Sequence, residues 1–184
     1  PNGNFAQTTK GRTDNADGLL VTLARNRAYR MGTLFRHLAS GTQSEVILGG
    51  AFGPGSSRIF VTGWTDDASF FRHASDPVGT GRRIFMSEFD YLTAGRQYSR
   101  VIGGSGDDIG HAIATTSEGI VVLGQTSSTD FPGTTPTFQT GYGGGASDAV
   151  LVAWDYAPAN SFVTVRPAST AYLGGSGDDI GRAI

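Results

Sequence analysis

Apolar positions in this chain fall in short runs bounded by glycine, proline, aspartate and serine, and no stretch combines the helical period with end caps. The runs predict strands. Residues 19–23 (Leu-Leu-Val-Thr-Leu) read as one buried strand, following a polar loop over 1–15. Residues 29–38 are ambiguous, but Arg30, Arg36 and His37 suit an edge strand, whose exposed backbone is guarded by charge. Residues 45–48 and 58–62 predict a hairpin, with Gly-Gly-Ala-Phe-Gly-Pro-Gly over 49–55 as its turn. A long polar loop over 66–81 carries Phe70 and Phe71 and leads to strands at 83–90 and 97–102.

The next cycle repeats that order. Strands at 110–115 and 120–124 flank a Ser-Glu-Gly turn, a Ser/Thr/Pro-rich loop covers 126–140, and Gly143-Gly144-Gly145 precedes strands at 148–155 and 161–165. Tyr172-Leu173 then leads into Gly174-Gly175-Ser176-Gly177-Asp178-Asp179-Ile180-Gly181, a letter-for-letter return, 71 residues later, of the stretch that begins at Gly103. Fainter matches join 61–65 to 122–126, 85–90 to 150–155 and 17–21 to 148–152. About four strands per cycle of this length predict an all-β fold of β-propeller-type repeats, built from four-stranded antiparallel blades. A single four-stranded sheet cannot bury both faces alone, whereas stacked neighbours cover them.

The expected division is the end of a first blade over 1–38, a degenerate second blade over 39–103, a third over 104–174, and the start of a fourth over 175–184. That is an incomplete ring, or a fragment of a longer repeat array. A closed ring needs about four blades or more, so further repeats or further copies are the expected partners.

Four motifs in order carry a family resemblance: Tyr172-Leu173-Gly174-Gly175-Ser176-Gly177-Asp178-Asp179, Thr126-Ser127-Ser128-Thr129-Asp130-Phe131-Pro132, Phe138-Gln139-Thr140, and Tyr142-Gly143-Gly144-Gly145-Ala146-Ser147-Asp148-Ala149. Together they resemble the bacterial β-propeller repeat family known as SBBP, well over 101–184 and weakly over 33–100. The second cycle departs from the pattern. It has Ala39-Ser40-Gly41-Thr42-Gln43-Ser44 in place of the glycine–aspartate motif, and Arg82-Arg83 where Ser-Asp precedes a strand. The resemblance implies a propeller in a secreted or cell-surface bacterial protein, and no catalytic residues.

Composition narrows this picture. The 28 glycines and 16% charged residues suit tight turns, and the net charge of −2 gives no reason to expect nucleic acid or an anionic membrane as partner. No apolar run approaches a membrane span, and the absence of cysteine excludes disulfides and thiolate metal sites. Starting at Pro1 and stopping within a motif, the chain reads as a piece of something longer. Charge is unevenly spread: residues 1–100 carry 12 bases and 8 acids, residues 101–184 carry 2 and 8. Such asymmetry suits head-to-tail contacts between copies, although drift of sequence between repeats is the preferred reading.

Candidate chemistry is sparse. Asp107, Asp108, Asp178 and Asp179 are paired carboxylates in glycine-rich loops and are the candidate calcium ligands, although capping of turns by aspartate is the preferred reading and the spacing is not that of a helix-loop-helix calcium site. No other cofactor is expected. His37, His73 and His111 have no metal-ligand spacing, and no Gly-x-Ser-x-Gly elbow marks a nucleophile, so no catalytic residue is assigned and the chain is not read as an enzyme. Trp64 and Tyr142 are the candidate binding aromatics; Trp154 and Phe131 read as core and as loop packing. The expected function is that of a non-catalytic extracellular scaffold assembling with copies of itself into a larger propeller or filament. The alternative is a domain that binds a polymer such as a polysaccharide.

Overall fold

The computed structural model describes residues 6–7, 18–23, 29–35, 44–53, 57–67, 76, 81–90, 96–133, 139, 141–155 and 169–184. Among these the chain is all-β, and no helix is present that could cross a membrane. A three-stranded sheet comes first, from β1 (Ala6–Gln7), β2 (Gly18–Leu23) and β3 (Tyr29–Phe35). The second sheet is four-stranded: β4 (Glu45–Phe52), β5 (Arg58–Thr65), β6 (Arg83–Asp90) and β7 (Arg96–Ile102). The third is β8 (Asp108–Thr115), β9 (Gly119–Thr126), β10 (Asp148–Asp155) and β11 (Ser169–Leu173). Within each sheet every strand pairs antiparallel with the next in the chain, so each sheet is a meander.

Several sequence expectations are corrected here. β4 runs through Gly49 and Gly50, because Ala51 and Phe52 continue the ladder opposite Phe60 and Ile59. The turn is therefore shorter than 49–55, and the Gly53 amide closes it on the Arg58 carbonyl at 2.9 Å. Ala6 and Gln7, within the expected loop, pair with Val21 and Leu20. The fourth strand of the third sheet is Ser169–Leu173, whereas the strand expected at 161–165 lies outside the described residues, as do Arg36, His37 and Phe70.

The middle sheet is enclosed on both faces. Ile59, Val61, Phe85, Phe89 and Val101 alternate with Phe60, Ile84, Met86 and Ile102, and each set lies in a separate buried cluster. The second set packs with Ile113, Val122, Val150, Val152 and Trp154 of the third sheet. This explains why β6 is buried from Arg83 to Phe89 without a break, while β10 alternates, with Leu151 and Ala153 half-exposed. Each fully buried Phe or Ile contributes about 1.5–3 kcal/mol, so the contact between sheets is a principal source of stability.

The first strands of both four-stranded sheets carry the same irregularity. Register shifts between Ile47 and Gly49 in β4 and between Gly110 and Ala112 in β8, leaving Leu48 and His111 as the extra residues of two equivalent bulges. The bulge pushes the backbone towards the second strand, and a glycine receives it. A Cβ at Gly63 would fall inside the Val46 carbonyl oxygen, and one at Gly124 inside that of Ile109. Between sheets, the Thr115 hydroxyl donates to the Phe52 carbonyl at 2.6 Å, tying β8 to β4.

Candidate functional site

Strand pairing lines up one row of polar residues across each four-stranded sheet. In the third, Asp108 stands opposite Thr126 and Thr126 opposite Asp148, and Gly174 follows the end of β11. In the second, Glu45 stands opposite Thr65 and Thr65 opposite Arg83, and Gly103 follows β7. Asp108, Thr126, Asp148, Thr65 and Arg83 have no exposed surface, and Glu45 is 1% exposed. Polar groups so deep must be matched by partners.

Asp108 is matched in full. Its carboxylate accepts from the Gly104 amide at 2.8 Å, from the Thr126 hydroxyl, and from the Ser128 hydroxyl at 3.0 and 3.1 Å. The Ser128 amide in turn donates to the Thr126 oxygen at 2.9 Å, which fixes the hydroxyl proton towards Asp108. Burial pushes the Asp108 carboxyl up to about 6, and hydrogen bonds from Thr126, Gly104 and Ser128 only partly offset it.

Its neighbour Asp107 faces outward and ties the loop to the preceding sheet. Asp107 Oδ1 accepts from the Arg82 amide at 2.9 Å, and its own amide donates to Ser127 Oγ at 2.8 Å. Ser105 donates both its amide and its hydroxyl to Asp130, holding that exposed carboxyl below the usual carboxylate range.

The second motif repeats part of this pattern. Asp179 Oδ2 accepts from the Gly175 amide at 2.8 Å, as Asp108 does from Gly104. Asp178 Oδ1 accepts from the Ala146 amide at 2.5 Å, as Asp107 does from Arg82. The Asp179 amide donates to the Ser147 carbonyl at 2.7 Å, and the Asp108 amide to that of Arg82 at 2.9 Å. Glycine is required at the end of each row. A Cβ at Gly103 would lie 2.5 Å from Asp108 Oδ2 and 2.8 Å from Arg83 Cγ, and one at Gly174 2.8 Å from Asp148 Oδ1 and 2.9 Å from Asp179 Oδ2.

The structure therefore places Asp107 and Asp108 at the junction between the second and third sheets, and Asp178 and Asp179 just beyond the last strand of the third. The groups aimed at these carboxylates are N–H and O–H donors, whereas calcium takes six to eight oxygen ligands. Among the described residues no three carboxylate or imidazole groups converge as a metal set would. Trp64, in β5, is half-buried, and the Arg82 guanidinium lies 4.4 Å over its ring. Tyr142 is half-buried, packs edge-on against Tyr172 at 6.1 Å and donates to the Gly145 carbonyl at 3.0 Å. Trp154 and Phe131 are core, the latter with its amide on the Tyr172 hydroxyl at 2.9 Å.

Sequence reading missed Glu45, Thr126, Ser128 and Asp148 as members of this network. The second cycle has no glycine–aspartate letters at this point of the chain. Ser44 and Glu45 instead hold the positions of Asp107 and Asp108: the Asp66 amide donates to the Ser44 carbonyl at 3.2 Å, as the Ser127 amide does to that of Asp107 at 2.9 Å. The Thr65/Thr126 match was the available signal, since both threonines accept from the amide two residues on. Where the third sheet has Asp148, the second has Arg83, in one buried row with Glu45. The chain matches no known family model, and no curated protein is significantly similar to it.

Proposed function

We propose that this chain is a structural repeat protein of the β-propeller type, allied to the bacterial SBBP repeats, that serves outside the cell as a scaffold and associates with further copies or repeats of its kind. The observation that carries this reading is the repetition of one contact, Asp108 on Gly104 as the chain leaves the second sheet and Asp179 on Gly175 as it leaves the third. A chain that reuses the same joint extends by adding like units, and stacked units cover one another's faces. A non-catalytic role is supported by the use of Asp108, whose carboxyl is pushed up by burial: it is enclosed and consumed by structural donors. Sedimentation velocity and negative-stain electron microscopy of the polypeptide test the reading. Discrete rings or filaments support it, and a monomer at every concentration up to about 100 µM overturns self-association.

A second reading, a polysaccharide-binding face, draws on Trp64 and Tyr142, each half-buried beside one junction. Arg82 covers one face of Trp64, which leaves less ring for a sugar to stack on. Retention on immobilised polysaccharides that is lost in Trp64→Ala supports this reading, and no retention across a broad panel removes it.

A further inference from the structure

At the corner after the second sheet, Gly103 is flanked by a carboxylate and a cationic side chain: a Cβ there would meet Asp108 Oδ2 at 2.5 Å and Arg83 Cγ at 2.8 Å. At the corner after the third sheet two carboxylates take those places. A Cβ on Gly174 would meet Asp148 Oδ1 at 2.8 Å and Asp179 Oδ2 at 2.9 Å. Asp148 stands in β10 where Arg83 stands in β6, each opposite the threonine of its row. Two carboxylates that face one small gap repel, the more strongly the less water lies between them.

Asp148 is the member of this pair that the protein leaves incomplete. It has no exposed surface, and its Oδ2 accepts from the Gly143 amide at 2.5 Å, but its buried Oδ1 accepts from no donor. Thr126, across the ladder, has its hydroxyl turned to Asp108. Neither Asp148 nor Asp179 is ion-paired with a described residue. A buried carboxylate oxygen is tolerated when a donor or a cation meets it. Main-chain oxygens gather nearby: those of Gly174 and Gly175 lie 3.0 and 2.5 Å from where a Cβ on Gly143 would stand. Asp179 Oδ2 carries the Gly175 amide and has lone-pair capacity left.

We propose that this corner is a calcium site, held by Asp148 Oδ1 and the Asp179 carboxylate, with main-chain carbonyls of the Gly174-Gly175 step and solvent completing the set. Calcium accepts this mixture of carboxylate, carbonyl and water oxygens in a flexible geometry, whereas magnesium demands a near-ideal octahedron. Softer metals favour imidazole or thiolate, and the chain has no cysteine. Asp178 takes no part, because its Oδ1 is engaged by the Ala146 amide. The ion supplies the positive charge that Arg83 brings to the equivalent place in the second sheet. It fastens β10 to the motif at 174–179, and it goes beyond the scaffold reading without depending on it.

Calorimetric titration and thermal unfolding of the polypeptide test this, after removal of metal with EDTA and at constant ionic strength. Calcium chloride at about 10 mM should raise Tm by at least about 3 °C, with a Kd on the order of 0.1–1 mM, as in extracellular calcium modules. Magnesium should do much less. Asp148→Asn, which keeps an oxygen for the Gly143 amide, should abolish the shift, and Asp179→Asn should weaken binding at least about tenfold. Asp130→Asn, outside the corner, should leave it unchanged. Neither heat nor shift in the unmodified chain overturns the proposal and leaves Asp148 as a protonated acid. A shift that survives Asp148→Asn overturns it too, since the ion then binds elsewhere. Should Asp148→Asn fail to fold, Asp179→Asn decides, and unchanged calcium binding there overturns the site.

Discussion

Glu45 occupies in the second sheet the place that Asp108 occupies in the third: each is buried, each opens the first strand of its sheet, and each faces a threonine, Thr65 or Thr126. The row beyond the threonine differs, carrying Arg83 in one sheet and Asp148 in the other. The joint thus keeps its carboxylate while the charge around it changes sign.

Asp108 makes stability depend on pH. Its folded carboxyl titrates at about 6, above the ordinary value of an unfolded aspartate, so the folded state binds the proton more tightly. Its contribution is fully present below the unfolded value of about 4 and is lost as pH rises through 6. Urea unfolding of the wild type and Asp108→Asn between pH 4 and 7.5 should show the wild type losing on the order of 2 kcal/mol more across that interval. Comparing the pair cancels other carboxylates, among them Asp130, whose depressed value works in the opposite direction. Parallel pH profiles would remove Asp108 as the source.

The glycines opposite the bulges admit no side chain. Gly63→Ala and Gly124→Ala should each cost more than about 3 kcal/mol, because the added carbon would enter the carbonyl of Val46 or Ile109 and both neighbours are backbone. Gly141→Ala, with nothing within 4 Å of the new carbon, is the matched control and should change stability by less than about 0.5 kcal/mol. Thermal denaturation of the three variants reads the difference.

Asp76 reaches from the long loop to Arg100 at 3.4 Å and to the Val101 amide at 3.2 Å, and both ion-pair side chains are buried. Asp76→Ala strands the guanidinium and should destabilise by about 3–5 kcal/mol. Adding Arg100→Met should recover much of that loss, since an apolar side chain needs no ionic partner. A double variant no better than the single one would show that Asp76 acts through Val101 instead.

Arg82 over Trp64 has a spectroscopic signature. Trp154, the other tryptophan, is 1% exposed, so changes at the surface report on Trp64. Arg82→Ala should shift emission to the red and increase iodide quenching, with a stability change below about 1 kcal/mol. Unchanged quenching would mean that the ring stays covered.

Much of the fold could be read from local pattern, and the misses have physical causes. The strand at Arg83–Asp90 was legible because its apolar run is enclosed from two sides. Gly49 and Gly50 read as a turn because glycine marks turns and bulges alike, and only the pairing of Ala51 with Phe60 separates them. At the junction, Asp108 stood out by its repeated letters, while Glu45 did not, since its role depends on Thr65 across the ladder and not on flanking glycines. Asp148 and Ser128 escaped for the same reason: their positions are set by register and loop closure.

The paired bulges carry one more consequence. Leu48 and His111 are the residues that leave the ladder, and Arg182 follows at the same step of the next motif. Leu48 is 39% exposed, Arg182 is exposed, and His111 is half-buried with its ring nitrogen 2.9 Å from Gln125. An aliphatic group and an imidazole thus take the same step of the ladder without disturbing the strands around it. Both four-stranded sheets keep one position whose side chain differs while the pairing on either side of it stays the same.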